Sequence, residues 1–334
     1  MLVNTKLNID QQYMFFGCLV SLVFVCFFKL FGESWPTVVG DAEYYVNLYN
    51  YEDTIAPYGY RILIPYLAKF LPFGMTINFE IIQMISLCSL SGLILCYFNL
   101  DNRLSLKNNA LLTILFVNTY PFVYSSTSHI RLDAPLLCIM MLFILFTKQN
   151  RNTFILIFTI FVGILIHEMF LFTIVLVLFD KILNTKITGS ENLNSKQILI
   201  LVVSSLLFYS LSRAYIPILA SDYHVGPSMF FQFFVYHFSI YNKFGLILLS
   251  KIYATFGPLW LFLVSYLYIN KCRNKILFVL FAGLILFALT FLAADTLRVT
   301  SIYYLIIILY SFQFLQLIKN KWVYYILILF QFFH

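Results

Sequence analysis

The chain has 334 residues, of which 62% are hydrophobic and only 10% are charged, and its mean hydropathy is +0.89. These values exclude an ordinary soluble domain, in which about a quarter of the residues are charged. The net charge of +7 does not indicate nucleic-acid binding, because Lys and Arg are dispersed singly through short loops. We therefore expect membrane lipids, and no nucleic acid, around the chain.

Apolar stretches long enough to cross a bilayer, which takes roughly 20 residues, occur about ten times along the chain. The sequence thus predicts an all-α fold, a polytopic transmembrane helix bundle of about 10–11 spans. Residues 1–334 are expected to form a single integral membrane domain. The first span, at about residues 13–31, has no small-residue cleavage site after it, so we expect it to be retained.

A polar, aromatic-rich segment follows the first span, and residues 32–77 are predicted to be an external loop plus a short interfacial helix. The helix is expected within residues 62–73, an apolar stretch that is too short to span and is interrupted by prolines and a lysine. Charge is scarce elsewhere, yet five of the 14 acidic residues lie in this loop: Glu33, Asp41, Glu43, Glu52 and Asp53.

Later elements alternate apolar spans with short basic turns. Residues 153–179 are apolar for longer than one membrane thickness, and the polar pair His167-Glu168 predicts two short helices hinged there, with one long tilted helix as the alternative. The aromatic-rich residues 221–243 are predicted to lie along the membrane surface. The remaining spans are predicted at residues 78–100, 110–124, 134–146, 197–220, 244–269, 276–292, 299–318 and from 322 onward.

The basic residues predict the orientation. If the N-terminus is cytoplasmic, 13 of the 21 Lys and Arg residues fall in cytoplasmic loops, and every such loop carries at least one. This agrees with the positive-inside rule, and it places the polar motifs together on the external face. We therefore expect the active face of the protein to be external.

Two segments of the first loop contain candidate functional residues. Asp41, in GDAEYY (residues 40–45), would act as a general base or hold a metal ion; the alternative is a helix N-cap. Arg61, in YGYRILIP (residues 58–65), would bind phosphate bidentately; the alternative is that it snorkels to anionic lipid.

Three polar interruptions lie later in the chain. His167 and Glu168 either bind an acceptor sugar or a diphosphate, or mark the membrane boundary between two helices. The opposite-sign residues Arg131 with Asp133, and Asp295 with Arg298, are expected at external helix ends. At least one of these two pairs is expected to be structural, and the other would leave an arginine for diphosphate oxygens.

In their order, GDAEYY, YGYRILIP, RLD (131–133), HE (167–168) and DTLR (295–298) resemble the GT-C superfamily of membrane glycosyltransferases and related bacterial membrane proteins. The resemblance implies a bacterial plasma membrane enzyme that uses a polyprenyl-phosphate-linked sugar donor and a glycan or lipid-linked acceptor. Asp41 would be the catalytic residue. The implied substrate-binding residues are Glu43, Tyr58, Tyr60, Arg61, Arg131, Asp133, His167, Glu168, Asp295 and Arg298.

The acidic motif departs from the family pattern, because Asp41 is followed by Glu43 at i+2 instead of by an adjacent acidic residue. This leaves open both the identity of the base and the use of a divalent cation such as Mg²⁺ or Mn²⁺. Two other functions are alternatives. A polysaccharide polymerase acting on undecaprenyl-diphosphate repeat units would carry a larger late external loop. A lipid-linked sugar flippase would place charges at mid-membrane within internal repeats.

Overall fold

The computed structural model describes residues 2–31, 41–52, 54, 58–100, 104–127, 130–149, 151–183, 193–216, 259–270, 272–292 and 303–317. The secondary structure in these residues is helical, which agrees with the predicted all-α class. Among them, three helices are long and apolar enough to span a membrane: Gln11–Phe31, Met75–Asn99 and Ser195–Tyr215. The larger number of spans stays a prediction.

The chain divides into two compact units, Met1–Thr113 with Val123–Tyr223, and Ile114–Phe122 with His224–His334. The predicted surface segment 221–243 and the terminal span from residue 322 lie outside the described residues. The helices up to Tyr215 are α1 (Leu2–Phe31), α2 (Asp41–Tyr49), α3 (Leu63–Phe70), α4 (Met75–Asn99), α5 (Leu106–Val117), α6 (Tyr120–Thr127), α7 (Asp133–Lys148), α8 (Thr153–Ile166), α9 (Leu171–Leu183) and α10 (Ser195–Tyr215).

In the first unit, α4 is the central helix and packs against α1, α3 and α7. The approach of α1 to α4 is set by two glycines, since a Cβ atom on Gly17 would lie 2.8 Å from the Cα atom of Gly92. Ser21 of α1 donates a hydrogen bond to Ser91 of α4 at the same contact. Small residues that let two apolar helices approach this closely, with a hydroxyl pair between them, are typical of packing in membranes.

The short helix predicted within residues 62–73 is present as α3. It ends at Phe70, just before Leu71 and Pro72, and packs against α2 and α4. A proline cannot continue a helix, because it lacks the N–H that the ladder requires. Ile64 and Ala68 are buried, whereas Leu67 and Phe70 are exposed, so the helix has one covered face and one apolar face that a membrane surface would suit.

The prediction that residues 110–124 form one uninterrupted helix is wrong. Helix α5 ends at Val117, and α6 begins at Tyr120. The cause is Pro121, whose ring would clash with the carbonyl of Val117 in a continuous helix. The Thr119 hydroxyl closes the break by donating to the carbonyl of Phe116 at 2.6 Å.

In the second unit, the helix Leu259–Asn270 packs against the helix Tyr304–Leu317. Tyr266 donates from its hydroxyl to the Gln313 amide oxygen at 2.6 Å, and it accepts from the Lys275 ammonium at 2.6 Å. These polar contacts tie together three apolar helices, the third being Arg273–Leu292. The candidate site described next lies entirely in the first unit.

Candidate functional site

The long apolar run of residues 153–179 is broken at the polar pair, as predicted. Helix α8 ends at Ile166, and His167 has an extended backbone with φ −166° and ψ 133°. Glu168–Phe170 then form a 3-10 turn that leads into α9. The imidazole of His167 stabilises this turn, because its Nδ1 atom accepts a hydrogen bond from the backbone N–H of Met169 at 3.1 Å. The hinge is therefore an ordered turn that is capped by the His167 side chain.

Phe170 fixes the turn to the body of the first unit. Its ring is buried over Gly163 of α8, where an added Cβ atom would lie 2.4 Å from the ring. The ring also packs edge-on against Phe143 of α7, with 5.7 Å between the two centroids. Only glycine permits this contact, so the position of Glu168 depends on Gly163.

Glu168 makes a two-pronged ion pair with Arg61, which lies 107 residues earlier in the chain. The Nε atom of Arg61 donates to one carboxylate oxygen at 3.0 Å, and Nη2 donates to the other at 2.5 Å. Its Nη1 atom donates to the hydroxyl of Tyr45, on α2, at 2.9 Å. The Arg61 side chain is 7% exposed and that of Glu168 is 21% exposed, so the pair is largely desolvated. Three elements of the first unit thus meet at one guanidinium.

A second arginine, Arg213 of α10, stands beside the same carboxylate. Its Nη2 atom is 4.0 Å from a carboxylate oxygen of Glu168. Its guanidinium carbon lies 3.5 Å from the ring centroid of Tyr60 and 4.8 Å from that of Tyr209. Contacts at this distance are favourable cation–π interactions, and they hold the planar group in one place. We call Tyr45, Tyr60, Arg61, His167, Glu168 and Arg213 the arginine cluster.

The charges of the cluster follow from its burial and its hydrogen bonds. Burial opposes ionisation of Glu168, yet the neighbouring His167, the Arg61 guanidinium and the two hydrogen bonds from Arg61 hold the pKa of that carboxyl well below its usual range. Burial, together with the positive charges of Arg61 and Arg213, lowers the pKa of His167 to about 3, against the opposing effect of Glu168. His167 is therefore neutral at pH 7, which agrees with Nδ1 acting as an acceptor. Glu168 is the only anion among the six residues of the cluster.

The remaining predicted residues are distributed as follows. Asp41 is the first residue of α2, one helical turn before Tyr45 and on the same face of the helix, while its side chain lies outside the described residues. Glu43 is exposed and, being two residues from Tyr45, lies on the opposite face of α2. The side chain of Tyr58, and Asp295 and Arg298 entirely, also lie outside the described residues.

Arg131 and Asp133 flank the start of α7. The guanidinium of Arg131 lies 5.8 Å from the ring centroid of Tyr124, and its carbonyl accepts from the Gln83 amide at 3.1 Å. Asp133 is in the first turn of α7, where a carboxylate is favourable to the helix dipole. The charge of Asp133 also acts on the arginine cluster. Burial raises the pKa of Tyr45, Arg61 opposes this effect, and the Asp133 carboxylate adds to the rise.

Two members of the cluster were absent from the sequence-based candidates. Tyr45 belongs to the quoted GDAEYY segment, and its signal is the spacing of four residues from Asp41, which places both on one helix face. Arg213 lies in the last turn of an apolar helix, and its signal is Tyr209 four residues earlier. An arginine at the end of a spanning helix is typical of a topology signal, so residue type alone does not mark Arg213 as functional.

Within the described residues, no three His, Cys, Asp or Glu side chains come together as metal ligands. Use of a divalent cation therefore stays a prediction that depends on Asp41. Comparisons of the chain with known protein families, curated proteins and solved structures find no match. The function must accordingly be argued from the chemistry of the arginine cluster.

Proposed function

We propose that the protein is a membrane glycosyltransferase that transfers a sugar from a polyprenyl-phosphate donor to a lipid-linked or cell-surface glycan on the external face of a bacterial plasma membrane. The observation that carries the proposal is the joining of three sequence motifs. Tyr45, one turn after Asp41, accepts a hydrogen bond from Arg61, and Arg61 pairs with Glu168. Residues from distant parts of the chain thereby converge beside the N-terminus of α2.

Glu168 and Arg61 position this site; neither carries the proton transfer. A carboxylate with a depressed pKa that accepts two hydrogen bonds is a poor proton acceptor. Arg61 spends its Nε, Nη1 and Nη2 donors on Glu168 and Tyr45. The cluster instead fixes α2, the helix that begins at Asp41, against the turn after α8. Asp41 is thus the residue to which we assign base catalysis.

In the proposed reaction, the acceptor hydroxyl attacks the anomeric carbon of the donor sugar and passes its proton to the Asp41 carboxylate. A new glycosidic bond forms while the bond from that carbon to the phosphate oxygen breaks. The polyprenyl phosphate leaves with the electron pair, and an arginine other than Arg61 stabilises the charge that develops on it. A resident divalent cation, if Asp41 holds one, would supply the same kind of charge stabilisation.

The test is transfer by the purified chain from a panel of polyprenyl-phosphate hexoses and pentoses to lipid-linked and cell-surface glycan acceptors, followed by mass spectrometry. Loss of a general base costs roughly 10²–10⁴-fold in rate, so Asp41→Asn should lower turnover by at least 100-fold. Glu52→Gln is the matched control, since it alters an exposed carboxylate just after the end of α2 that is not among the candidate residues, and it should leave turnover unchanged. Full activity of Asp41→Asn would refute the assignment of the base.

A further inference from the structure

Arg213 differs from Arg61 in that its hydrogen bonds are incomplete. The Nη1 atom of Arg213 is buried, and none of the described residues gives it a hydrogen-bond partner. Its Nη2 atom approaches Glu168 only to 4.0 Å, which is beyond the 2.7–3.2 Å of a hydrogen bond. A buried charged donor without an acceptor is costly, so a position like this one is expected to be completed by something else.

The nearest carboxylate does not complete it in this structure, because its oxygens are turned toward Arg61 and the approach of Arg213 Nη2 stops at 4.0 Å. Both oxygens of Glu168 already accept hydrogen bonds from Arg61. His167 is neutral, and its Nδ1 atom accepts from the backbone of Met169. Among Arg61, Arg213, His167 and Glu168, two positive charges therefore share one negative charge. The imbalance is electrostatically suited to a second anion at Arg213.

The guanidinium is also held in a fixed orientation. The rings of Tyr60 and Tyr209 contact it at 3.5 Å and 4.8 Å, and its side chain is only 20% exposed. A guanidinium fixed in this way loses little conformational freedom when it forms two parallel N–H···O bonds to an oxyanion. This two-pronged geometry matches the oxygens of a phosphate group.

The position of Arg213 in the helix identifies where such an anion would come from. Arg213 is in the last turn of α10, one of the three helices long and apolar enough to span a membrane. The end of a spanning helix lies at the level of the lipid headgroups, where phosphate is the abundant oxyanion. A phosphate at that level would come from a lipid or from the adjoining water.

We propose that Arg213 is an oxyanion-binding residue that receives a phosphate group through Nη1 and Nη2, beside the Arg61–Glu168 pair. Arg61 anchors the turn, and Arg213 meets the ligand. This inference does not rest on the proposed transferase activity, because any phosphate-bearing ligand of the site would satisfy the same donors. It gives the two arginines of the cluster different functions.

The test is phosphate-dependent stabilisation of the purified full-length chain in detergent, since a ligand that binds only the folded state raises the unfolding temperature with its concentration. Phosphatidic acid in the micelle is compared with diacylglycerol, its uncharged counterpart. Inorganic phosphate is compared with sodium chloride at equal ionic strength. Stabilisation by phosphatidic acid alone assigns a lipid phosphate, and stabilisation by inorganic phosphate as well assigns a soluble one; either outcome supports the proposal.

Arg213→Gln should weaken the apparent affinity by roughly 10- to 100-fold, the range expected for loss of a charged hydrogen bond. Arg213→Lys keeps the charge but not the planar fork, and it should weaken affinity by about tenfold. Arg151→Gln is the matched control, because Arg151 is an exposed arginine whose Nε donates to Gln149.

Absence of stabilisation by every phosphate in the wild-type chain would overturn the proposal. So would wild-type affinity in Arg213→Gln or, should that variant not fold, in Arg213→Lys. The Asp41→Asn assay is independent of these results, so phosphate binding without transfer would refute only the transferase, and transfer without a role for Arg213 would refute only this inference.

Discussion

Substitution of Glu168 by glutamine is the most direct test of the arginine cluster. The replacement keeps the shape of the side chain and removes its charge. It leaves Arg61, whose side chain is 7% exposed, with one neutral acceptor where it had a carboxylate. A buried cation without its counter-ion is among the most destabilising single changes in a protein.

The expected magnitude follows from the geometry. Removing one partner of a buried ion pair costs about 3–5 kcal/mol. The glutamine amide oxygen would still accept one of the two hydrogen bonds that Arg61 now donates to Glu168, so we expect about 3 kcal/mol, the lower end of that range. Replacing both residues by methionine, in Arg61→Met with Glu168→Met, should recover most of this loss because neither member of the pair then leaves a buried charge.

Glu80→Gln is a closely matched control. The Glu80 side chain is 25% exposed, close to the 21% of Glu168, and it pairs with Lys29 at 3.2 Å. Lys29, however, is 26% exposed, against 7% for Arg61. The cation is much more exposed in this pair, and the Lys29 ammonium makes one contact where Arg61 donates two hydrogen bonds, so Glu80→Gln should cost less than about 1 kcal/mol.

The assay is the free energy of unfolding in mixed micelles, titrated with a denaturing detergent and followed by far-UV circular dichroism. All four chains, namely wild type, the two single variants and the double variant, are measured at pH 7. Equal losses for Glu168→Gln and Glu80→Gln would refute the claim that Arg61 is buried against Glu168. A double variant less stable than Glu168→Gln would refute the claim that the buried charge is the source of the loss.

Two further predictions concern the turn that holds Glu168. Gly163→Ala should destabilise the chain by about 1–3 kcal/mol, because the new Cβ atom would lie 2.4 Å from the Phe170 ring. The control is Gly283→Ala, which should be tolerated because its Cβ atom would lie 3.8 Å from its nearest neighbour. Equal unfolding temperatures for the two variants would contradict the packing argument. Stability should also fall as the pH drops from 6.5 toward 3, by up to about 1.4 kcal/mol per unit, because the unfolded chain protonates His167 in that window and the folded chain does not. Below its ordinary pKa of 4.5, Glu168 also loses stabilising charge as the pH falls, so His167→Asn is compared with the wild type only between pH 6.5 and 5. In that range the variant should flatten the slope of the unfolding free energy against pH. An unchanged slope would contradict the burial of a neutral His167.

Local features of the sequence predicted the hinge and the short helix. A polar pair within an apolar run cannot remain in a lipid-facing helix without partners, so a break at His167 was expected, and the structure confirms it. The short helix α3 was expected for the similar reason that prolines bound an apolar stretch too short to span. The break before Pro121 was missed, because hydropathy continues across it, although the proline itself was a sufficient signal.

The pairing of Arg61 with Glu168 could not be predicted, because nothing in a local pattern selects a partner 107 residues away. The sequence placed both residues among the candidates and predicted one external face for them. It also allowed His167 and Glu168 to point about 100° apart, as neighbours on a helix do. The extended backbone at His167 removes that constraint, and it is the hinge itself that turns Glu168 toward Arg61.

Residue type assigns the same chemistry to Arg61 and Arg213, and the structure separates them by what surrounds each guanidinium. Arg61 has a carboxylate and a hydroxyl within hydrogen-bond distance, so it is satisfied by the protein and would lose these contacts if it turned to a ligand. Arg213 is held by aromatic faces, which fix its position, and among the described residues its Nη1 donor has no acceptor. Aromatic contacts of this kind orient a cation without neutralising it. A residue that receives an anion needs such aromatic contacts, whereas a residue that anchors a turn needs a carboxylate and a hydroxyl from the protein.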